Sequence, residues 1–246
     1  MKRKLLALLC ALACLLMLCA CNVSVNTDEA GNTTVTTDGE ELEDTATYVT
    51  NTYNIDDSFE NISISVDVDE ITILPAQDNV SCVECVEDEN RLHTVAVVDN
   101  TLTITTPDED LDSDGNGLNS AVTIFLDPDI MLKNISIEDS LGNATIENIG
   151  CENLTVNLSL GNLNLTNVIA SGNFNFELAG GSVTFNDCDA QNITASTALG
   201  EITGTLLTGK NFTATAELGT VDVPENSGSG NCELTASMGS IQITVK

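Results

Sequence analysis

Between Lys133 and Lys246 one pattern recurs six times, and it constrains the fold more than any other feature of the chain. Each copy is marked by a glycine, at Gly142, Gly161, Gly181, Gly200, Gly219 and Gly239, so the copies are 19 or 20 residues long. Counted from that glycine, position −7 holds Ile135, Leu154, Phe174, Ile193, Phe212 and Cys232. Position −5 holds Ile137, Val156, Phe176, Ala195, Ala214 and Leu234. Position −1 holds Leu141, Leu160, Gly180, Leu199, Leu218 and Met238, and position +2 holds Ala144, Leu163, Val183, Ile202, Val221 and Ile241. Alternating apolar residues have the period of a strand, not of a helix. Between −1 and +2 the alternation slips by one residue, which would turn the apolar face outward in a continuous strand. A corner at the glycine keeps both runs facing one interior.

Position −8 is asparagine in all six copies: Asn134, Asn153, Asn173, Asn192, Asn211 and Asn231. Asparagine tolerates left-handed backbone and bonds to its own turn, so it suits a second corner. Stacked copies could instead join their amides into a ladder. Two short strands and two corners per twenty residues describe a coil that buries its apolar side only by stacking on its neighbours. The expectation is an all-β, single-stranded parallel β-solenoid with coils of 19–20 residues. Residues 134–246 are its regular coils. Residues 51–133 are irregular first coils carrying an acidic insert. Asn61, Ile62, Ile64, Val66 and Val68 fit positions −8 to −1, with Asp69 in the glycine's place and Ile71 and Ile73 following. Val95, Val97, Asn100, Leu102 and Ile104 continue the pattern in degenerate form.

The chain begins with Lys2-Arg3-Lys4 and an apolar run from Leu5 to Ala20, short for a membrane span and suited to a secretory signal. The run ends Leu18-Cys19-Ala20-Cys21-Asn22, which resembles a bacterial lipobox. That resemblance implies cleavage before Cys21 and diacylglycerol on its sulfur, and two acyl chains anchor stably. Residues 1–20 are then the signal, and 21–50 a lipidated cysteine with an acidic, polar tether. The expected location is the extracellular face of the cell membrane. Three of the seven Lys and Arg residues lie in the signal, so the chain beyond it sets four bases against 38 acids. Phosphates would be repelled, which excludes nucleic acid as a partner.

The order of these features is an Ile/Val-rich opening, an acidic insert, a strand ending Asp127-Pro128-Asp129, then Ile135-Ser136-Ile137 and Leu141-Gly142-Asn143. Over residues 50–246 this resembles the family of bacterial β-strand-repeat lipoproteins called putative adhesins, a domain of unknown function similar to autotransporter adhesin heads. The resemblance implies a β-solenoid on the cell envelope and transfers no residue roles.

Few residues invite chemistry. Asp110, Asp112 and Asp114 before Gly115 match the first half of an EF-hand loop, making it a candidate for weak Ca²⁺, although Ala121 stands where the bidentate Glu belongs. A flexible acidic loop explains the same residues. No other cofactor is expected. Cys82 and Cys85 would point to opposite faces of a strand, about 10 Å apart, too far for a disulfide unless a turn intervenes. Cys151, Cys188 and Cys232 fall among apolar positions, and Cys232 belongs to the core. His93 is the sole histidine, which argues against structural zinc and for a packing role. No catalytic constellation can be assembled, and with no Trp the chain lacks the usual carbohydrate platform. The expected function is therefore an envelope scaffold or adhesin that binds a surface protein or glycan without catalysis. The alternatives are a polysaccharide-active enzyme and an envelope sensor acting through a protein partner. The chain runs to Lys246 without a cap, which points to self-association through the last coil.

Overall fold

A computed structural model describes residues 47–106 and 119–246, together with the backbone of three short strands nearer the N-terminus. Those strands are β1 (Ser24–Thr27), β2 (Thr33–Thr37) and β3 (Glu40–Glu43). They form a small antiparallel sheet by themselves, with Val25 opposite Val35 and Val35 opposite Leu42. The expected tether therefore contains paired strands. Cys21, the signal, and Asp110, Asp112 and Asp114 lie outside the described residues.

The second unit carries eighteen strands. In chain order they are β4 (Tyr48–Asn54), β5 (Asn61–Val66), β6 (Asp69–Pro75), β7 (Cys82–Asp88), β8 (Thr94–Val98), β9 (Thr101–Thr105), β10 (Ser120–Leu126), β11 (Leu132–Leu141) and β12 (Ala144–Glu147). They continue as β13 (Gly150–Leu160), β14 (Leu163–Thr166), β15 (Ile169–Gly180), β16 (Val183–Leu199), β17 (Ile202–Leu206), β18 (Lys210–Leu218), β19 (Val221–Asp222), β20 (Gly230–Met238) and β21 (Ile241–Val245).

The chain is all-β, but it is not a single-stranded parallel solenoid. Its strands form one mixed, nearly closed, barrel-like sheet with antiparallel pairs. The repeats do pair in parallel at their own period: Ile135 lies opposite Leu154, Leu154 opposite Phe174, and Phe174 opposite Ile193. Antiparallel strands enter where the repeat degenerates. Asp99 and Asn100 both take left-handed backbone, at φ 47° and 63°, and make a two-residue hairpin between β8 and β9. Such a turn reverses the chain, so Val95 and Val97 belong to a returning strand and not to a coil. β7 likewise runs antiparallel to β10 and to the outermost strand β4. The alignment of Ile62, Ile64, Ile71 and Ile73 with the repeat is found in the pairing: Ile62 faces Ile135 and Ile73 faces Ile146.

The C-terminal order is also not sequential. β20 lies between β16 and β18, and β21 between β17 and β19. The last coil is thus enclosed on both sides, and the free edge falls to the coil before it. That edge is blunted: β19 is two residues long and Pro224 follows soon after. Short edge strands and proline discourage edge-to-edge pairing.

The core lies between the two walls. Phe174, Phe176 and Phe185 meet there with ring centroids 5.4 to 6.5 Å apart. Positions −7, −5, +2 and +4 face it in most copies. Position −1 does not: Leu160 is 55% and Leu218 68% exposed, so these leucines lie outside the corner. Position −3 takes the inward place instead, with Leu158 and Leu178 buried.

The repeat asparagines form a ladder. Asn134 donates from Nδ2 to Asn61 Oδ1 at 2.9 Å, Asn153 to Asn134 at 3.1 Å, Asn173 to Asn153 at 2.9 Å and Asn192 to Asn173 at 3.1 Å. At Asn231 the backbone N–H, not the side chain, donates to Asn192 Oδ1 at 3.3 Å, and Asn211 lies in register with Asn231. Left-handed corners fall elsewhere, on Asn148, Asn167 and Asp187. Of the repeat glycines, Gly161 and Gly181 show most clearly why no side chain fits. Each has positive φ, and a Cβ on Gly181 would overlap the carbonyl oxygen of Gly161 in the coil below. Gly200 and Gly239 meet their neighbours in the same way, and Gly219 sits against Gly239.

Candidate functional site: a small-residue groove and a buried Asp-His-Glu cluster

A groove of about 630 Å³ crosses the wall formed by β5, β11, β13, β15, β16 and β20, just before the corner. Its lining comes from positions −4 to −2 of successive repeats. Position −2 supplies Ser140, Ser159, Ala179, Ala198 and Ser237, and their small size leaves the trough open. Asp67, Glu138 and Glu177 give it acidic groups. Six adjacent strands about 4.8 Å apart make a trough roughly 24 Å long.

At its β5 end the groove reaches Asp67 and Asp139. Asp67 binds the Arg91 guanidinium at 2.8 Å and accepts from Thr106 Oγ1 at 3.1 Å. Asp139 stands at position −3, where two other copies bury Leu158 and Leu178, and burial pushes its pKa up to about 7. Asp69, 1% exposed, approaches it from β6. Gly142 is indispensable here, because a Cβ would overlap the Asp69 carbonyl and the Asp139 carboxylate.

Behind Asp69 lies His93. Its Nε2 is 3.1 Å from Asp69 Oδ1, and its Nδ1 is 2.7 Å from Glu87 Oε2. The side chains of Asp69 and Glu87 are 0% exposed and that of His93 is 2% exposed. Glu87 is firmly held: Asn51 Nδ2 and Tyr53 Oη donate to Oε1 at 2.7 and 3.0 Å, and the His93 amide donates to Oε2. Burial opposes ionisation of Glu87, but these donors outweigh it and lower its pKa. Burial likewise opposes a charge on His93, yet Asp69 and Glu87 prevail and raise its pKa. Tyr53 is pushed up to about 12 by burial and by Glu87. Cys85 also faces the cluster, fully buried, its thiol raised to about 12 by desolvation and then by Glu87 and Asp69.

The expected packing role of His93 is thus replaced by a charged one. The missed signal was in the repeat itself: Asp69 occupies the glycine's place, and Asp139 is the one carboxylate at a position that holds Leu158, Leu178, Thr197, Ala216 and Ala236 in the other copies. Cys82 and Cys85 are both free, and so are the buried Cys151, Cys188 and Cys232. The four described bases are all engaged in ion pairs: Arg91 as above, Lys133 with Glu60 at 2.6 Å, Lys210 with Asp189 at 2.6 Å and Lys246 with Asp187 at 2.7 Å.

A family model for Toastrack DUF4097 matches residues 59–246. The chain belongs to the Toastrack family. The resemblance to bacterial adhesin-like repeat proteins holds, and the family's function is itself not established. Among solved structures, the chain is similar to a putative cell adhesion protein from Clostridium sporogenes, with a TM-score of 0.52, 18% identity, and 81% of this chain and 100% of that one covered. A putative adhesin from Bacteroides fragilis gives 0.44 at 18% identity, covering 82% and 99% of the two chains. One from Parabacteroides distasonis gives 0.44 at 14% identity, covering 82% and 98%. No curated protein matches the sequence. At these identities the first likeness speaks for the Toastrack fold, and for nothing about ligands.

The raised pKa of Asp139 has a measurable consequence. Its folded value, about 7, lies above the ordinary 3.8, so the burial cost is absent below pH 4 and grows as pH rises through 7. Asp139→Asn removes an ionisation worth up to about 4 kcal/mol at pH 8. Urea denaturation should find the variant more stable than the parent at pH 8, with the advantage vanishing at pH 4. An advantage equal at both pH values would contradict the assignment.

Proposed function

We propose that this Toastrack chain is a cell-surface lipoprotein, anchored through acyl chains on Cys21, whose strand unit is a non-catalytic binding scaffold. The observation that carries the reading is the groove, with its floor of Ser140, Ser159, Ala179, Ala198 and Ser237 and its acidic groups Asp67, Glu138 and Glu177. Repetition makes the trough uniform along its length, which suits an extended segment of a surface protein or glycan. The adhesin descriptions of the structural relatives agree with such a role.

A direct test is retention of a panel of surface-protein peptides and glycans by the chain, compared with Ser159→Arg and Ala198→Arg. Both positions lie on the groove floor, and an arginine there would fill it. Retention without turnover, lost in both variants, is the expected result. Turnover of a glycan would favour the polysaccharide-active alternative, and retention unchanged in both variants would remove the groove from the account. Anchoring is tested separately by Cys21→Ala, which should release the chain from membranes into the medium.

A further inference from the structure

We propose that Cys85, Glu87 and His93 form a zinc site, with Asp69 as the positioning residue behind the imidazole. One ligand atom from each of the three lies within 4.8 Å of the other two, and all three residues are buried. Zinc bonds of about 2.0 to 2.3 Å place ligand atoms roughly 3.3 to 3.7 Å apart, so the 2.7 Å pair of His93 Nδ1 and Glu87 Oε2 would open slightly to admit the ion. Sulfur, imidazole nitrogen and carboxylate together suit zinc, whereas calcium and magnesium take oxygen alone.

The far side of the ring fits the role given to Asp69: His93 Nε2 pairs with Asp69 Oδ1 at 3.1 Å. Without a metal the protonated ring bridges the two carboxylates. A cation would displace the Nδ1 proton, leave the other proton on Nε2 and keep Asp69 as its acceptor. Metal-bound histidines commonly hand their other N–H to a carboxylate in this way. The Cys85 thiol is free to serve as a ligand, and Cys82, three residues along the same strand, points to the other face. Asp69, Cys85, Glu87 and His93 come from β6, β7 and the segment before β8, so the ion would tie the antiparallel strands to the first repeat.

The full chain in detergent, stripped with a chelator, should bind one equivalent of Co²⁺ and show a thiolate-to-cobalt charge-transfer band. Zn²⁺ should displace the cobalt and abolish the band. Cys85→Ser should remove the band, and Asp69→Asn, which leaves all three ligands in place, should weaken the affinity about 10- to 100-fold. Cys151→Ser and Cys232→Ser should change neither. The proposal is overturned if the folded wild-type chain binds no stoichiometric metal, or if the band survives Cys85→Ser. Circular dichroism of each protein separates lost binding from lost folding, and the wild-type cobalt spectrum decides even if a variant fails to fold. The groove proposal is independent of this result.

Discussion

Gly181→Val is expected to be among the most damaging single substitutions in the chain, with a loss of about 3 kcal/mol or more. Two costs coincide. The backbone of Gly181 has φ of 125°, a region that L residues with a Cβ rarely adopt. The new side chain would also meet the Gly161 carbonyl of the neighbouring coil, and that carbonyl cannot retreat because its own coil is stacked on the next. Gly150 provides the control, since a Cβ there meets nothing within 4 Å. Gly150→Ala should leave the urea midpoint nearly unchanged. Equal midpoints for the two variants would show that the corner has room for a side chain after all.

Phe176→Ala should cost about 3 to 5 kcal/mol, the usual loss when a fully buried ring is deleted and its cavity remains. Phe176 is 1% exposed and touches two other rings, at centroid distances of 5.4 Å to Phe174 and 6.0 Å to Phe185. Those partners come from β15 and β16, so the deletion weakens both walls together. Leu160→Ala makes the contrast. Leu160 is 55% exposed and sits outside the corner, so its removal should stay within about 0.5 kcal/mol. Thermal melts of the two variants separate the inward positions from the outward one. Similar losses would mean that the faces have been assigned the wrong way round.

The residues that were legible are those where local chemistry has one solution. Alternation at Ile135, Ile137, Leu154 and Val156 admits only strands, and six asparagines at one position admit either a turn or a ladder. The ladder holds because the stacking period brings each amide about one strand spacing from the next. What could not be read was the order in which the coils stack. Phe212-Thr213-Ala214 and Cys232-Glu233-Leu234 fit equally well beside Ile193-Thr194-Ala195, and nothing in the period says which of them sits there. Val95, Val97, Asn100, Leu102 and Ile104 were read as a degenerate coil, because the parallel frame of the later repeats concealed the hairpin at Asp99-Asn100 and its reversal of direction. The buried cluster was hidden for a related reason. Asp69, Glu87 and Asp139 lie on separate strands and His93 on the segment before β8, so only the fold brings them together.

The central claim is that the second unit is a mixed, barrel-like sheet whose last coil is threaded between two earlier ones. Paired cysteines test it directly. Thr194 lies opposite Glu233 on adjacent strands, whereas Thr213 lies opposite Glu233 on its other side, one strand further away. Neighbouring strands are about 4.8 Å apart and strands two places apart about 10 Å, and only the former spacing permits a disulfide. Under mild oxidation Thr194→Cys with Glu233→Cys should cross-link, and Thr194→Cys with Thr213→Cys should not. A cross-link in the second pair and none in the first would mean that the coils stack in sequence order, contrary to this account.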